Sequence, residues 1–216
     1  MIGIIDYGMG NLHSVSKALE RLDLDYIMSD KIDDLQGVDG LLLPGVGAFP
    51  DAMKTLNHIG MTKFIQQWAE EGKPLLGICL GMQLLFDESS EHGRTEGLQL
   101  LPGHVERFKG VDENGETYKV PHMGWNQLHF QQKDHPLLEG VNEGHVYFVH
   151  SYVVKHREDD VLIASSEYDG VVPAVVGRKN VLGTQFHPEK SSDVGMTILR
   201  NFGKLVKQGG EAHEHV

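Results

Sequence analysis

The stretch Gly72-Lys73-Pro74-Leu75-Leu76-Gly77-Ile78-Cys79-Leu80-Gly81-Met82-Gln83-Leu84-Leu85-Phe86 restricts the fold of this chain more than any other. A short apolar run ends at the only cysteine, and a second with helical spacing starts directly after it. The segment therefore reads as strand, sharp turn and helix, with Phe86 closing the helix. Gly77 and Gly81 flank the turn, where side chains two positions from the tight residue would collide and glycine leaves room. These are the mechanics of a nucleophile elbow, in which the reactive atom stands at a strand end and the next helix aims free N–H groups at whatever binds there. A thiol so placed gains thiolate character. A free cysteine is equally at home in a core, and the segment alone leaves both readings open.

The flanking chain supplies neighbours for that strand. Ile2–Ile5 is a short apolar run followed by the turn Asp6-Tyr7-Gly8-Met9-Gly10, and Asn11 caps a helix whose apolar positions Leu12, Val15, Leu19 and Leu22 recur at spacings of three and four. Tyr26–Met28 is a shorter candidate strand. Gly40–Leu43 runs into Pro44-Gly45-Val46-Gly47-Ala48-Phe49-Pro50, whose successive N–H groups can face an anion or simply turn the chain toward a helix. Met61, Phe64, Ile65, Trp68 and Ala69 mark a helix face ahead of the Cys79 strand. Strand and helix in alternation predict βαβ units, a parallel sheet, and ligand sites at the carboxyl ends of its strands.

Beyond Leu98 the helical periodicity fades. Strand-like runs are expected at Val105–Phe108, His145–Val154, Val161–Ser165, Ala174–Gly177 and Val181–Phe186, with turns at Pro121-His122-Met123-Gly124-Trp125-Asn126 and Tyr168-Asp169-Gly170. A last helix starts near Ser191–Asp193, and the tail from about Gln208 is expected to fray. The expected fold is α/β: an open, mainly parallel sheet flanked by helices, with an antiparallel extension, in one domain over residues 1–216.

Composition narrows the function. A net charge of −12, from 31 acidic and 19 basic residues, argues against nucleic-acid binding and leaves room for a protein partner with a basic docking face. A single cysteine forms no internal disulfide, the start Met1-Ile2-Gly3-Ile4-Ile5-Asp6 lacks the basic segment of a signal peptide, and no apolar stretch reaches membrane-spanning length. A cytoplasmic protein without membrane contact is expected. The 13 histidines are scattered without metal-ligand spacing, so neither metal nor cofactor is expected.

A cysteine nucleophile requires a base and a group that orients the base. His187 follows the last strand as Cys79 follows its own, so both can stand on one sheet edge, and Pro188 stiffens the segment carrying Glu189. The carboxylate can accept the second imidazole proton and favour the imidazolium formed when Cys79 ionises. Attack on an amide carbon puts charge on its oxygen, for which the amides of Leu80 and of Val46 or Gly47 are candidate donors.

Gly77-Ile78-Cys79-Leu80-Gly81-Met82-Gln83 together with His187-Pro188-Glu189 resembles the class I glutamine amidotransferase family, the triad glutaminases, whose fold is flavodoxin-like. Within that family, Asp6-Tyr7-Gly8-Met9-Gly10-Asn11, Pro44–Phe49, Pro121–Asn126 and Phe148-Val149-His150-Ser151-Tyr152 resemble the glutaminase subunits of imidazole glycerol phosphate synthase, and the likeness leaves out only the tail. The resemblance implies L-glutamine as substrate, hydrolysed through a glutamyl thioester. It implies Gln83, Glu91, Ser151 and Tyr152 as the residues that hold it, and Gly47 with Leu80 as the oxyanion hole. It further implies a heterodimer with a separate (β/α)₈ barrel cyclase subunit, which takes up the ammonia in histidine biosynthesis, and a partner face comprising Met123, Trp125, Tyr147 and Lys190. From the residues alone, Glu91 is a solvated loop carboxylate, Lys190 an exposed charge, and Trp125 and Tyr147 belong to the core. A triad glutaminase feeding another acceptor such as pyridoxal phosphate synthase, a thiol peptidase of related fold, and a catalytically silent regulatory subunit are the competing functions.

Overall fold

The computed structural model describes residues 1–214, with side chains described to residue 210. Four segments of uninterrupted burial build its centre: β1 (Ile2–Ile5), β3 (Gly40–Leu43), β4 (Leu75–Ile78) and β14 (Val181–Thr184). Such strands are apolar on both faces because helices cover both sides of a parallel sheet. With β2 (Tyr26–Ser29) at the edge, the order β2-β1-β3-β4-β14 is parallel throughout, and β13 (Val171–Arg178), β12 (Leu162–Glu167) and β9 (His129–Phe130) extend it antiparallel.

The period-2 alternation of these strands sorts the core into two layers. Ile2, Ile4, Leu42, Leu76 and Ile78 pack with Val15 and Leu19 of α1 (Leu12–Arg21) and with Ile198 and Phe202 of α6 (Ser192–Glu214). Ile5, Leu41, Leu43 and Leu75 face the other way. They meet Phe49 and Leu56 of α3 (Phe49–His58) and Ile65 and Trp68 of α4 (Met61–Glu70). Asn11 caps α1 by accepting from Ser14 N–H at 3.3 Å, as its position predicts. A short helix, α2 (Ile32–Leu35), interrupts what reads in the sequence as a polar link.

Two smaller sheets complete the described residues. One has the order β11 (Tyr152–His156), β7 (Leu101–Arg107), β5 (Phe86–Ser89) and β6 (Thr95–Glu96); the other pairs β10 (His145–His150) with β8 (His122–Gln127). Phe86 opens β5 and does not close the elbow helix, which is only α5 (Leu80–Leu84). The carbonyls that would prolong the helix are taken: Leu84 O accepts from Leu98 N–H at 2.7 Å, and Leu85 O from Leu100 and Leu101 N–H at 2.9 Å each. The turn-rich stretch from Pro121 is strand β8 from His122 onward, because six consecutive residues pair with β10 and tertiary pairing overrides local turn propensity. The run 145–154 divides at Ser151 into strands of different sheets, and the last strand stops at Thr184, two residues before the expected end. The tail expected to fray is helical through Glu214: the backbone at Gly209 and Gly210 lies against Pro74 and Asp39, where an added Cβ would stand 3.5 and 3.1 Å from them.

Candidate active site

Three chain crossings meet at the carboxyl edge of the parallel strands. β4 ends in Cys79, β3 in the glycine loop and β14 in the segment leading to His187. Cys79 has φ 56° and ψ −114°, a conformation that L side chains rarely take and that stores about 1–3 kcal/mol. It is held by the bond from its N–H to Thr184 O at 2.8 Å and by the two flanking glycines. A Cβ on Gly81 would stand 1.8 Å from Leu43 O, and one on Gly77 would stand 2.5 Å from Gly81 O. The elbow therefore requires glycine at both places to let three backbone segments touch.

His187 and Glu189 form a buried pair: Nδ1 donates to Glu189 Oε1 at 2.8 Å, and the side chains are only 4 % and 1 % exposed. Burial works against the imidazolium, but the neighbouring Cys79 and Glu189 outweigh it and raise His187 from 6.5 to about 10. Its Nε2 is buried without a hydrogen-bond partner, so the imidazole and the thiol influence each other without being closed into a bond. Catalytic hydrogen bonds are commonly loose before substrate arrives. The thiol itself donates toward Val149 O at 3.9 Å and receives Gln185 Nε2–H at 4.0 Å.

A cavity of about 360 Å³ opens over the sulfur. Its walls include Cys79 and His187, the loop residues Val46, Gly47 and Leu80, and all four residues assigned to the substrate by resemblance, Gln83, Glu91, Ser151 and Tyr152. Glu91 is 8 % exposed and its Oε2 accepts Phe49 N–H at 2.9 Å. It is thus no solvated loop carboxylate but a cap on α3, placed where a carboxylate favours a helix N-terminus. Gln83 Nε2 donates to Tyr152 O at 3.2 Å and to Gln185 Oε1 at 3.1 Å.

Of the two expected oxyanion donors, the Leu80 N–H is occupied, donating to Gly45 O at 3.2 Å. The N–H groups of Val46 and Gly47 donate to no protein group among the described residues. Tyr7 lies beneath this loop, its hydroxyl donating to Pro44 O at 2.8 Å, with its ionisation suppressed by burial and by the charge at Cys79. None of the residues assigned to a partner face lines the cavity. Met123 and Trp125 are 62 % and 50 % exposed, which corrects the core placement that the residues alone suggest for Trp125. Tyr147 is half-buried with its ring 5.9 Å from that of Trp125, and Lys190 is exposed.

Sequence reasoning passed over Gln185, His150, Val149 and Tyr7 as members of the site. Gln185, just past the end of β14, and His150, at the end of β10, are polar residues at strand ends, a pattern that does not distinguish a cavity wall from a residue bonded to a neighbour. Val149 acts through its carbonyl, which no side-chain pattern reveals. Among the described residues no cluster of three metal-ligating side chains occurs and no helix is long and apolar enough to cross a membrane.

A family model described as glutamine amidotransferase class-I matches residues 3–205. The imidazole glycerol phosphate synthase subunit HisH of Halalkalibacterium halodurans is 69% identical over 212 residues, covering 98% of this chain and 99% of that one. The protein of the same description from Bacillus subtilis is 54% identical over 208 residues, covering 96% and 98%. Among solved structures, a glutamine amidotransferase superposes with a TM-score of 0.75 at 24% identity, covering 95% of this chain and 98% of that one. A glutamine amidotransferase from Thermotoga maritima gives 0.62 at 15%, covering 99% and 84%. These two likenesses concern the fold.

Proposed function

The chain belongs to the class-I glutamine amidotransferase family, and from that premise we propose that Cys79 is its nucleophile, His187 its proton carrier and Glu189 the carboxylate that orients the imidazole. The activity is that of the glutaminase subunit of imidazole glycerol phosphate synthase, releasing ammonia from L-glutamine for histidine biosynthesis. The observation that carries the residue assignment is the single cavity in which the lone thiol, the buried imidazole and the four substrate residues share walls.

The thiolate of Cys79 attacks the side-chain amide carbon of glutamine, and the C=O π pair moves onto oxygen. His187, held as imidazolium by Glu189, gives its Nε2 proton to the departing nitrogen, so the C–N bond breaks and ammonia leaves a glutamyl thioester. Water then attacks the thioester, losing its proton to the now neutral His187, and glutamate departs as the C–S bond breaks. The buried, unpartnered Nε2 is the atom that faces each of these transfers. Gly47, with its neighbour Val46, and Leu80 supply the N–H groups for the oxygen charge. Leu80 becomes available only when the Gly45 carbonyl turns away from it.

Glu91 receives the substrate ammonium while continuing to cap α3, and Gln83, Ser151 and Tyr152 fix the rest of the molecule. The barrel cyclase subunit docks as a heterodimer partner on the face of Met123, Trp125, Tyr147 and Lys190 and takes the ammonia without release to solvent. Ammonia and glutamate release from glutamine, measured with and without that subunit in wild type and Cys79→Ala, tests this. Cys79→Ala is expected to assemble, to lose glutamine-dependent synthesis and to retain synthesis from added ammonia. Loss of both activities overturns the assignment of Cys79, and equal glutamine turnover with and without a ligand-filled partner overturns the coupling.

A further inference from the structure

A row of hydrogen bonds leads from the cavity to the strand that carries Met123 and Trp125. The Tyr152 carbonyl that accepts from Gln83 also accepts from His150 Nδ1 at 2.7 Å. His150 Nε2 meets His122 Nδ1 at 2.9 Å, His122 Nε2 meets Asn126 Oδ1 at 2.7 Å, and Asn126 Nδ2 donates to Glu167 O at 3.0 Å. At the other end Gln83 continues through Gln185 to the sulfur of Cys79. Both imidazoles are buried.

The protons in this row can be counted. Between the carbonyls of Tyr152 and Glu167, which only accept, lie four contacts that require four protons. Neutral His150, neutral His122 and Asn126 each point one N–H along the row, which supplies three. However the rings and the amide are turned, one contact is left with two lone pairs facing. Yet none of the four exceeds 3.0 Å.

We infer that His122 and His150 are positioning residues that together hold one proton more than two neutral imidazoles, and that this proton ties strand β8 to Gln83 and through it to Cys79. The surroundings of His122 fit a cation: its ring lies between Tyr168 at 4.0 Å and 12° and Phe148 at 4.7 Å and 23°, face to face with both. Burial opposes charge on either ring. It lowers His150 to about 3, with His122 and His187 adding to the effect and the Tyr152 carbonyl resisting it, whereas on His122 Asn126 counters the burial. The charge therefore sits on His122, which donates from both nitrogens. The other groups facing the pair are Phe108 and the imidazole of His187, and no carboxylate bonds either ring among the described residues. Because both groups are lowered, the proton is held on the acid side and leaves as pH rises through a value below 6.5. The His122–His150 contact then opens, so the His150 ring that donates to the Tyr152 carbonyl loses its anchor to strand β8.

The consequence for glutamine rests on the proposed glutaminase; the proton does not. Imidazole ¹⁵N spectra of the full chain, followed from acid to neutral pH, read it directly. Expected at the acid end are protons on both nitrogens of His122 and none on His150 Nε2, with a single proton lost from the pair as pH rises. His122→Gln places a neutral amide in the row and removes the titration. With the barrel partner present, KM for glutamine is expected to rise about fivefold as the proton leaves, one hydrogen bond's worth, and to lose this pH dependence in His122→Gln while kcat keeps its own. A His122 Nε2 without a proton, received by a turned Asn126 amide, overturns the inference, as do two rings neutral throughout or a KM that stays flat across the titration. Wild type inactive toward glutamine despite the expected spectra counts instead against the proposed function.

Discussion

Replacing Glu189 by glutamine removes one negative charge while leaving an oxygen able to accept the Nδ1 proton of His187. Unit charges 2.8 Å apart attract by about 6 kcal/mol at an effective dielectric of about 20. At about 1.4 kcal/mol for each pKa unit, that is roughly four units of support for the imidazolium before burial is set against it. Against burial, which lowers it, Cys79 and Glu189 raise His187 from 6.5 to about 10. Without the carboxylate charge the same burial faces Cys79 alone, so the imidazole is expected to fall by at least about two units. Imidazole ¹⁵N titration of wild type and Glu189→Gln measures the fall, and the same pair in a Cys79→Ala background removes the sulfur's share. Glutamine turnover in the assembled enzyme is expected to drop by about 10²- to 10⁴-fold at neutral pH, because the imidazole loses the carboxylate that fixes its tautomer and supports its charge during proton transfer. A linkage follows with definite sign. The folded value lies above the unfolded one, so the stabilisation is complete below 6.5 and is lost as pH rises toward about 10. Urea unfolding of wild type is therefore expected to weaken across that interval and Glu189→Gln to show a flatter profile. An unchanged His187 titration in Glu189→Gln would refute the reasoning, since the carboxylate would then not be what sustains the charge.

Gly81→Ala forces a Cβ to 1.8 Å from Leu43 O, so the elbow and the end of β3 must part by more than an ångström; a loss above about 4 kcal/mol in urea unfolding is expected, against a near-neutral Gly37→Ala, which meets nothing within 4 Å. Glu91→Gln keeps an oxygen for Phe49 N–H but no charge for an ammonium, so KM for glutamine is expected to rise with stability retained, whereas Glu91→Ala loses both; equal stability in the two variants would show that the cap is idle. Asn201→Leu strips the donor from the buried Leu137 O at 2.9 Å and from the partly buried Glu139 O at 2.8 Å, and a loss of about 1–3 kcal/mol in the same unfolding assay is expected, chiefly from the stranded Leu137 carbonyl.

The parallel half of the fold was legible because its strands are apolar on both faces and its helices repeat at spacings of three and four, patterns that survive without knowledge of their partners. α3 escaped notice although it begins at Phe49. Ala48 at its N-cap offers no capping side chain and the first N–H is taken by Glu91, 42 positions along the chain, so only Pro50 and Asp51 mark the start locally. β8 was misread for the complementary reason: Pro121, Gly124 and Asn126 speak locally for a turn, and only the pairing with β10 makes them a strand. The helix after Cys79 is shorter than its apolar spacing predicts because the groups that end it come from Leu98 to Leu101. The same division runs through the site. Cys79, His187 and Glu189 follow strand ends and could be singled out by residue type and place. Gln185 and the His122–His150 row required coordinates, since a polar residue within an apolar strand looks alike whether it bonds a neighbour or faces a cavity.

The bond from Leu80 N–H to Gly45 O bears on how the site rests between turnovers. Turning the Gly45 carbonyl away forfeits one neutral hydrogen bond, worth about 1 kcal/mol net, whereas an oxyanion in its place is a charged acceptor worth about 1.5–3 kcal/mol. The balance between the closed and open loops is therefore small enough for a docked protein to decide it, provided the protein binds one arrangement better than the other. Val46, next to Gly45, is 43 % exposed, and Met123 and Trp125 offer 62 % and 50 % exposed apolar surface. A partner covering all three would bury Val46 only in the loop arrangement that suits it, and about 2 kcal/mol of such preference shifts the population roughly thirtyfold. Tyr7 limits how far the shift can spread: its hydroxyl holds Pro44 O at 2.8 Å from below, so the turn must occur between Gly45 and Gly47. Gly47, with φ +110°, already occupies a conformation from which such a turn meets little resistance.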